Sequence, residues 1–165
     1  IRIIWHCDGN ITPILPRLIE LGVRGLQGFQ EESGVSYAQI VAQKTIWGEP
    51  LIVWGCVSVT DTLPFGNVED VKIAVRRSFE LTGPGRGFCL ASTSSIMPEV
   101  PDENIDTFYH YGKAFGREFL SHHGRSQGFG LGADDGGESV FDEALEDFRA
   151  RDQHADLGLT QGQDG

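Results

Sequence analysis

His6 and Asp8 stand two residues apart in the run Trp5-His6-Cys7-Asp8-Gly9-Asn10. In an extended strand this spacing puts both side chains on one face and turns Cys7 away. An imidazole and a carboxylate held together suit three roles. They can work as a proton donor with an electrostatic partner, as two ligands of one zinc ion, or as a plain structural hydrogen bond. Further polar residues gather at similar positions along the chain. Gln30, at the end of Phe29-Gln30-Glu31-Glu32, can both donate to and accept from a ligand. Ser92-Thr93-Ser94-Ser95 offers four small hydroxyls. His6 and Asp8 are therefore the candidate catalytic and metal-binding residues, and Asn10, Gln30 and Ser94 the candidate substrate contacts. Glu31 and Glu32 read as a solvated loop.

Each of these groups follows a short apolar run that reads as a strand. Ile1–Trp5, Gly25–Gln30, Leu51–Val57 and Phe88–Ala91 are the four expected strands. Helical patterns separate them. Thr12-Pro13 reads as a cap and first turn, with Ile14, Leu15, Leu18 and Leu21 on one face and Gly22 as the stop. Ser36–Ile46 is a second helical stretch. Asn67 caps a third, running to about Leu81, with an apolar stripe of Val68, Val71, Val75 and Phe79. Pro101 opens a fourth, carrying Ile105, Phe108 and Phe115. Strands joined by helices imply a parallel sheet.

Twenty-four residues separate His6 from Gln30, and twenty-four more separate Gln30 from Trp54. That period suits a β/α barrel, whose eight units take about 250 residues and whose chemistry lies where strands end. Residues 1–120 hold about four units, half of such a barrel. A doubly wound open sheet is the alternative, but no G-x-G-x-x-G follows any strand.

Composition sets the outer limits. Of 165 residues, 39% are hydrophobic, enough to build a core. The net charge of -11 argues against a general nucleic-acid binder. No apolar run approaches the ~20 residues of a membrane span. Residues 121–165 hold ten acids against three bases and nine of the 22 glycines. This tail reads as solvated and mostly disordered, with one short helix around Ser139–Arg149. Cys7, Cys56 and Cys89 are odd in number and widely spaced, which points to a reducing, cytoplasmic setting. Cys56 and Cys89 read as buried fillers. Arg2, Arg17, Arg24, Arg76, Arg77 and Arg86 read as solvated surface charge. With Ile at position 1, the sequence is expected to begin inside a longer chain.

Several stretches together resemble the uroporphyrinogen decarboxylase superfamily. They are Trp5–Pro13, Leu18–Val23, Leu26–Gln30, Leu63–Gly66, Gly85–Phe88 and Val100–Ile105, in order across about 115 residues. The resemblance implies a (β/α)8 TIM barrel of which this chain is the C-terminal half, strands five to eight. One branch of the superfamily decarboxylates the acetate arms of uroporphyrinogen III without a cofactor, giving coproporphyrinogen III. The other transfers a methyl group between a corrinoid protein and a thiol, using zinc held by a His-x-Cys pair and a later Cys. Zinc stabilises the thiolate and so makes the nucleophile. His6 matches the histidine of that pair, while Asp8 and Ser94 stand where the cysteines would be. The decarboxylases' histidine in the last strand's loop also maps near Ser94. Their carboxylate-holding arginines belong to the N-terminal half.

The implied partners are therefore that N-terminal half and a tetrapyrrole or a corrinoid protein. Unpaired strand edges also make a homodimer an expectation. Half a barrel alone is expected to be inactive, so a truncated or binding-only product is the remaining alternative.

Overall fold

The computed structural model describes residues 1–84 and 87–123. The expected helix around Ser139–Arg149, the tail from residue 124 on and the Gly85-Arg86 pair lie outside the described residues, while residues 121–123, expected as tail, belong to the last helix. Four strands are present: β1 (Ile4–Cys7), β2 (Gly25–Gly28), β3 (Ile52–Trp54) and β4 (Phe88–Cys89). They form one sheet in the order β1-β2-β3-β4, every neighbour parallel. The protein is thus α/β, with a sheet in which sequence neighbours are also spatial neighbours, compatible with half of a β/α barrel.

The helices are α1 (Leu15–Glu20), α2 (Tyr37–Val41), α3 (Thr62–Phe65), α4 (Val68–Thr82) and α5 (Asp102–His123), with a 3-10 turn at Glu31–Ser33. The longer ones follow directly from their sequences. Asn67 Oδ1 accepts the N–H groups of Glu69 and Asp70, and Asp70 Oδ2 accepts the Asn67 N–H in return. This reciprocal cap fixes where α4 starts and contributes about 1 kcal/mol. Val71, Val75, Ser78 and Thr82 then recur on one buried stripe. In α5 the buried stripe is Asn104, Phe108, Gly112 and Gly116. Its two glycines let the Leu90 side chain and the Phe79 ring approach the helix backbone closely.

α4 packs between α2 and α5. Leu26 and Val53 face this helical layer with about 1% exposure, and Cys7 and Phe88 pack beside them. On the other sheet face Ile4, His6, Trp54 and Cys89 are exposed, whereas Gln27 and Ile52 are half-buried and Gly25 is buried. Two apolar clusters lie under the helices. One surrounds Leu26, Phe29, Tyr37 and Val53, and the other surrounds Val57, Leu63, Val71, Val75 and Phe108.

Several elements depart from expectation. Thr12 does not cap α1: its own N–H is taken by Asn10 Oδ1, an Asx turn that delays the helix to Leu15. α2 ends at Val41 rather than Ile46, because Lys44 and Pro50 pair across a tight reversal. The Pro64-Phe65-Gly66 turn belongs to the short helix α3. Cys89 is exposed rather than buried, since it points to the helix-free face. Among the described residues no helix is long and apolar enough to cross a membrane.

Candidate functional site

The end of β1 and the loop that follows β4 bring three of the expected residues together. His6 Nε2 lies 3.4 Å from Asp8 Oδ1, without the geometry of a hydrogen bond. Ser94 Oγ donates to Asp8 Oδ2 at 3.1 Å, joining residues 86 positions apart. Asp8 Oδ1 is closed off from solvent yet accepts no hydrogen bond. A carboxylate oxygen in that state is an acceptor waiting for a donor or a cation. The His6 and Asp8 side chains are 49% and 45% exposed, so the pair faces an open mouth.

The other two expected contacts are placed differently. Asn10 is exposed and spends its Oδ1 on the Thr12 N–H. Gln30 caps the 3-10 turn, and its backbone N–H reaches the Asp8 carbonyl at 3.4 Å. It touches the site through its main chain. The side chain that reaches under the site is Gln27, which pairs in register with His6 and shares its face. Gln27 Nε2 donates to the Thr93 carbonyl at 3.3 Å, steadying the loop that carries Ser94. Strand alternation from His6 could have singled out Gln27 only once the β1–β2 register was known.

Glu31 is no solvated loop residue. Its carboxylate accepts the Tyr37 N–H at 3.1 Å and a guanidinium N–H of Arg77 at 3.0 Å. Burial pushes the Glu31 carboxyl up, but the Arg77 hydrogen bond, the Tyr37 N–H and the Arg77 charge outweigh it, leaving the group below the usual range. Arg77 is therefore a tie between α4 and the β2 loop. Arg24 likewise pairs with Glu49 and lies 3.6 Å over the Trp47 ring, and Arg76 bonds Glu69 and the Tyr111 hydroxyl. Beside the Glu31–Arg77 tie is a cleft of about 590 Å³ walled by Glu31, Cys56, Ser58, Phe65, Arg77 and Thr93. His6 and Asp8 are not part of it. Burial holds the Cys56 thiol well above its ordinary range, so it is no ready nucleophile there.

The donors at the rim can be compared with what zinc requires. Two ligands at about 2.0–2.2 Å on a tetrahedral ion lie about 3.4 Å apart. The His6–Asp8 spacing has this value. A third protein donor is needed, and among the described residues no group of three His, Cys, Asp or Glu side chains is placed to hold an ion. The pair has the spacing of one edge of a zinc tetrahedron and no more. Ser94 Oγ is already committed to Asp8.

No protein-family model, curated protein or solved structure matches the chain.

Proposed function

We propose that this chain forms strands five to eight of a (β/α)8 barrel of the uroporphyrinogen decarboxylase superfamily, with a tetrapyrrole-type substrate over His6, Asp8 and Ser94. The observation that carries the reading is the Asp8–Ser94 hydrogen bond across the sheet. Four flat strands would set their outer members about 14 Å apart. An aspartate and a serine in hydrogen-bond contact span at most about 9 Å between Cα atoms. Ser94 lies five residues beyond β4, so the loop after β4 reaches back over the sheet end to the residue after β1, an approach that fits loops gathered around a barrel rim.

In this reading the reaction is decarboxylation of uroporphyrinogen III to coproporphyrinogen III, without a cofactor. His6 serves as the proton donor at the reacting ring. Asp8 is the carboxylate partner beside the imidazole, and Ser94 fixes that carboxylate by its hydrogen bond. The rest of the barrel supplies the carboxylate-binding arginines, and the setting is cytoplasmic. The test is turnover of uroporphyrinogen III by the full-length protein, followed by chromatography of the porphyrins. Loss of a general acid should cost His6→Ala about 100-fold or more. An alanine variant as active as the parent refutes the assignment.

The 3.4 Å donor spacing and the bare Asp8 Oδ1 favour one second reading, zinc-assisted methyl transfer from a corrinoid protein to a thiol. Stoichiometric zinc in the full-length protein, lost in His6→Ala, would select it over decarboxylation.

A further inference from the structure

β2 ends in two successive residues of positive φ, as no other described strand does. Gly28 has φ +97°, and Phe29 follows at φ +49°. Phe29 is the sole non-glycine residue with positive φ among the described residues. A bulky side chain is disfavoured there and persists only when its surroundings hold it. The holding contacts are clear. The Phe29 ring is 1% exposed and stacks on Tyr37, with centroids 5.8 Å apart and planes 19° from parallel. The Tyr37 hydroxyl bonds the Ser78 carbonyl at 3.2 Å and the Thr82 hydroxyl, both on α4. The kink is thus anchored in the helical layer.

Its effect falls on β1. The Phe29 N–H donates to the Cys7 carbonyl at 2.6 Å, and the Gln30 N–H to the Asp8 carbonyl at 3.4 Å. Ser33 Oγ also reaches the Asp8 carbonyl at 3.4 Å. The β1 loop is therefore held beyond the last ladder pair, Cys7 with Gly28. At Gly28 a methyl group would stand 2.5 Å from the Cys7 carbonyl oxygen and 3.2 Å from His6 Nδ1. The space that glycine leaves is the space the imidazole edge and the Cys7 peptide occupy.

We infer that Gly28 and Phe29 are positioning residues that set the His6–Asp8 geometry through the backbone, touching no substrate themselves. The importance of that geometry for turnover rests on the proposed function; the geometry itself does not. The experiment compares Gly28→Ala and Phe29→Leu with Leu26→Ala in the full chain. Leu26 lies in the same strand and the same core, but away from the kink. Diethylpyrocarbonate modification of His6 is followed by peptide mass spectrometry, with His110 as internal reference, where circular dichroism shows each variant folded.

The His6 rate relative to His110 should change at least about threefold in Gly28→Ala and Phe29→Leu, and less than that in Leu26→Ala. Phe29→Leu decides alone if Gly28→Ala does not fold. A smaller change in Phe29→Leu, or an equal change in Leu26→Ala, overturns the inference. If His6 reactivity shifts as expected while the parent protein turns over no uroporphyrinogen, the positioning role stands and the proposed activity falls.

Discussion

Asn104 offers the sharpest test of how the loops around the cleft are held. It sits in the first turn of α5 and is 1% exposed. Its Nδ2 donates to the Leu63 carbonyl at 2.9 Å and the Gly66 carbonyl at 2.8 Å, so one amide closes the end of α3 against α5. Two carbonyl acceptors fix which end of the amide is nitrogen. Its Oδ1 is buried without a hydrogen-bond partner. Asn104→Ala removes two bonds worth about 1 kcal/mol each and strips two carbonyls of a donor, for a total cost of about 2–4 kcal/mol. Asn104→Asp keeps the shape but aims a carboxylate at those carbonyls, costing about 3–5 kcal/mol near pH 7.

The two variants separate by pH. Burial and the facing carbonyls would raise the new carboxyl in the folded state, so the fold favours its neutral form. The Asp variant should therefore regain stability relative to the parent as pH falls through the raised folded value toward the unfolded value of about 3.9. A protonated acid can donate to one carbonyl again. The Ala variant has no such group and should show no such recovery. Urea unfolding followed by tryptophan fluorescence at pH 7 and pH 5 reads both effects. An alanine cost below about 1 kcal/mol, or an aspartate variant that tracks the alanine one at both pH values, refutes the reasoning.

Three further outcomes follow from the same contacts. Cys89 is exposed whereas burial raises the Cys56 thiol, so iodoacetamide at pH 8 should label Cys89 at least about tenfold faster than Cys56, read by peptide mass spectrometry. The Glu31 carboxyl lies below its usual range when folded, so its tie to Arg77 stabilises the fold above about pH 4.5 and is lost as pH falls through the folded value; Arg77→Ala should remove this acid sensitivity in thermal melts, at a neutral-pH cost of about 1 kcal/mol or less. A methyl at Gly25 would stand 2.7 Å from the Ile52 carbonyl oxygen and 2.8 Å from its Cβ, so Gly25→Ala should cost about 1–3 kcal/mol in urea unfolding.

What could be read from the chain in advance was whatever its chemistry states locally. The α4 start is written in Asn67 and Asp70, and the structure uses both. Gly22 stops α1 in a left-handed conformation, as its position implied. The His6–Asp8 pairing follows from strand alternation alone. What escaped depends on distant partners. Glu31 looked like a loop acid because Arg77, 46 residues away, is invisible in the local pattern. Gln27 needed the β1–β2 register, and Phe29 carries no sign of positive φ except the glycine before it. Thr12 failed as a cap because Asn10, two residues earlier, offered a competing local acceptor.

The helix-free face of the sheet adds a separate argument about curvature. Ile4, Gly25 and Ile52 pair in one row across three strands, and a methyl at Gly87 would stand 2.8 Å from Ile52 Cγ1. Large and small side chains thus alternate, with glycine on both flanks of Ile52. On a flat sheet nothing demands this, because strands spaced about 4.8 Å apart leave room for ordinary side chains. On a concave face the side chains converge as they rise from the backbone, and alternation of large with small relieves the crowding. The next row holds His6, Gln27 and Trp54, with Cys89 beside Trp54. The polar site begins where this small-and-large packing gives way to groups that can hydrogen-bond, at the strand ends. Small-and-large packing below with polar groups at the strand ends is what the proposed barrel requires, and the glycines at 25 and 87 support that proposal.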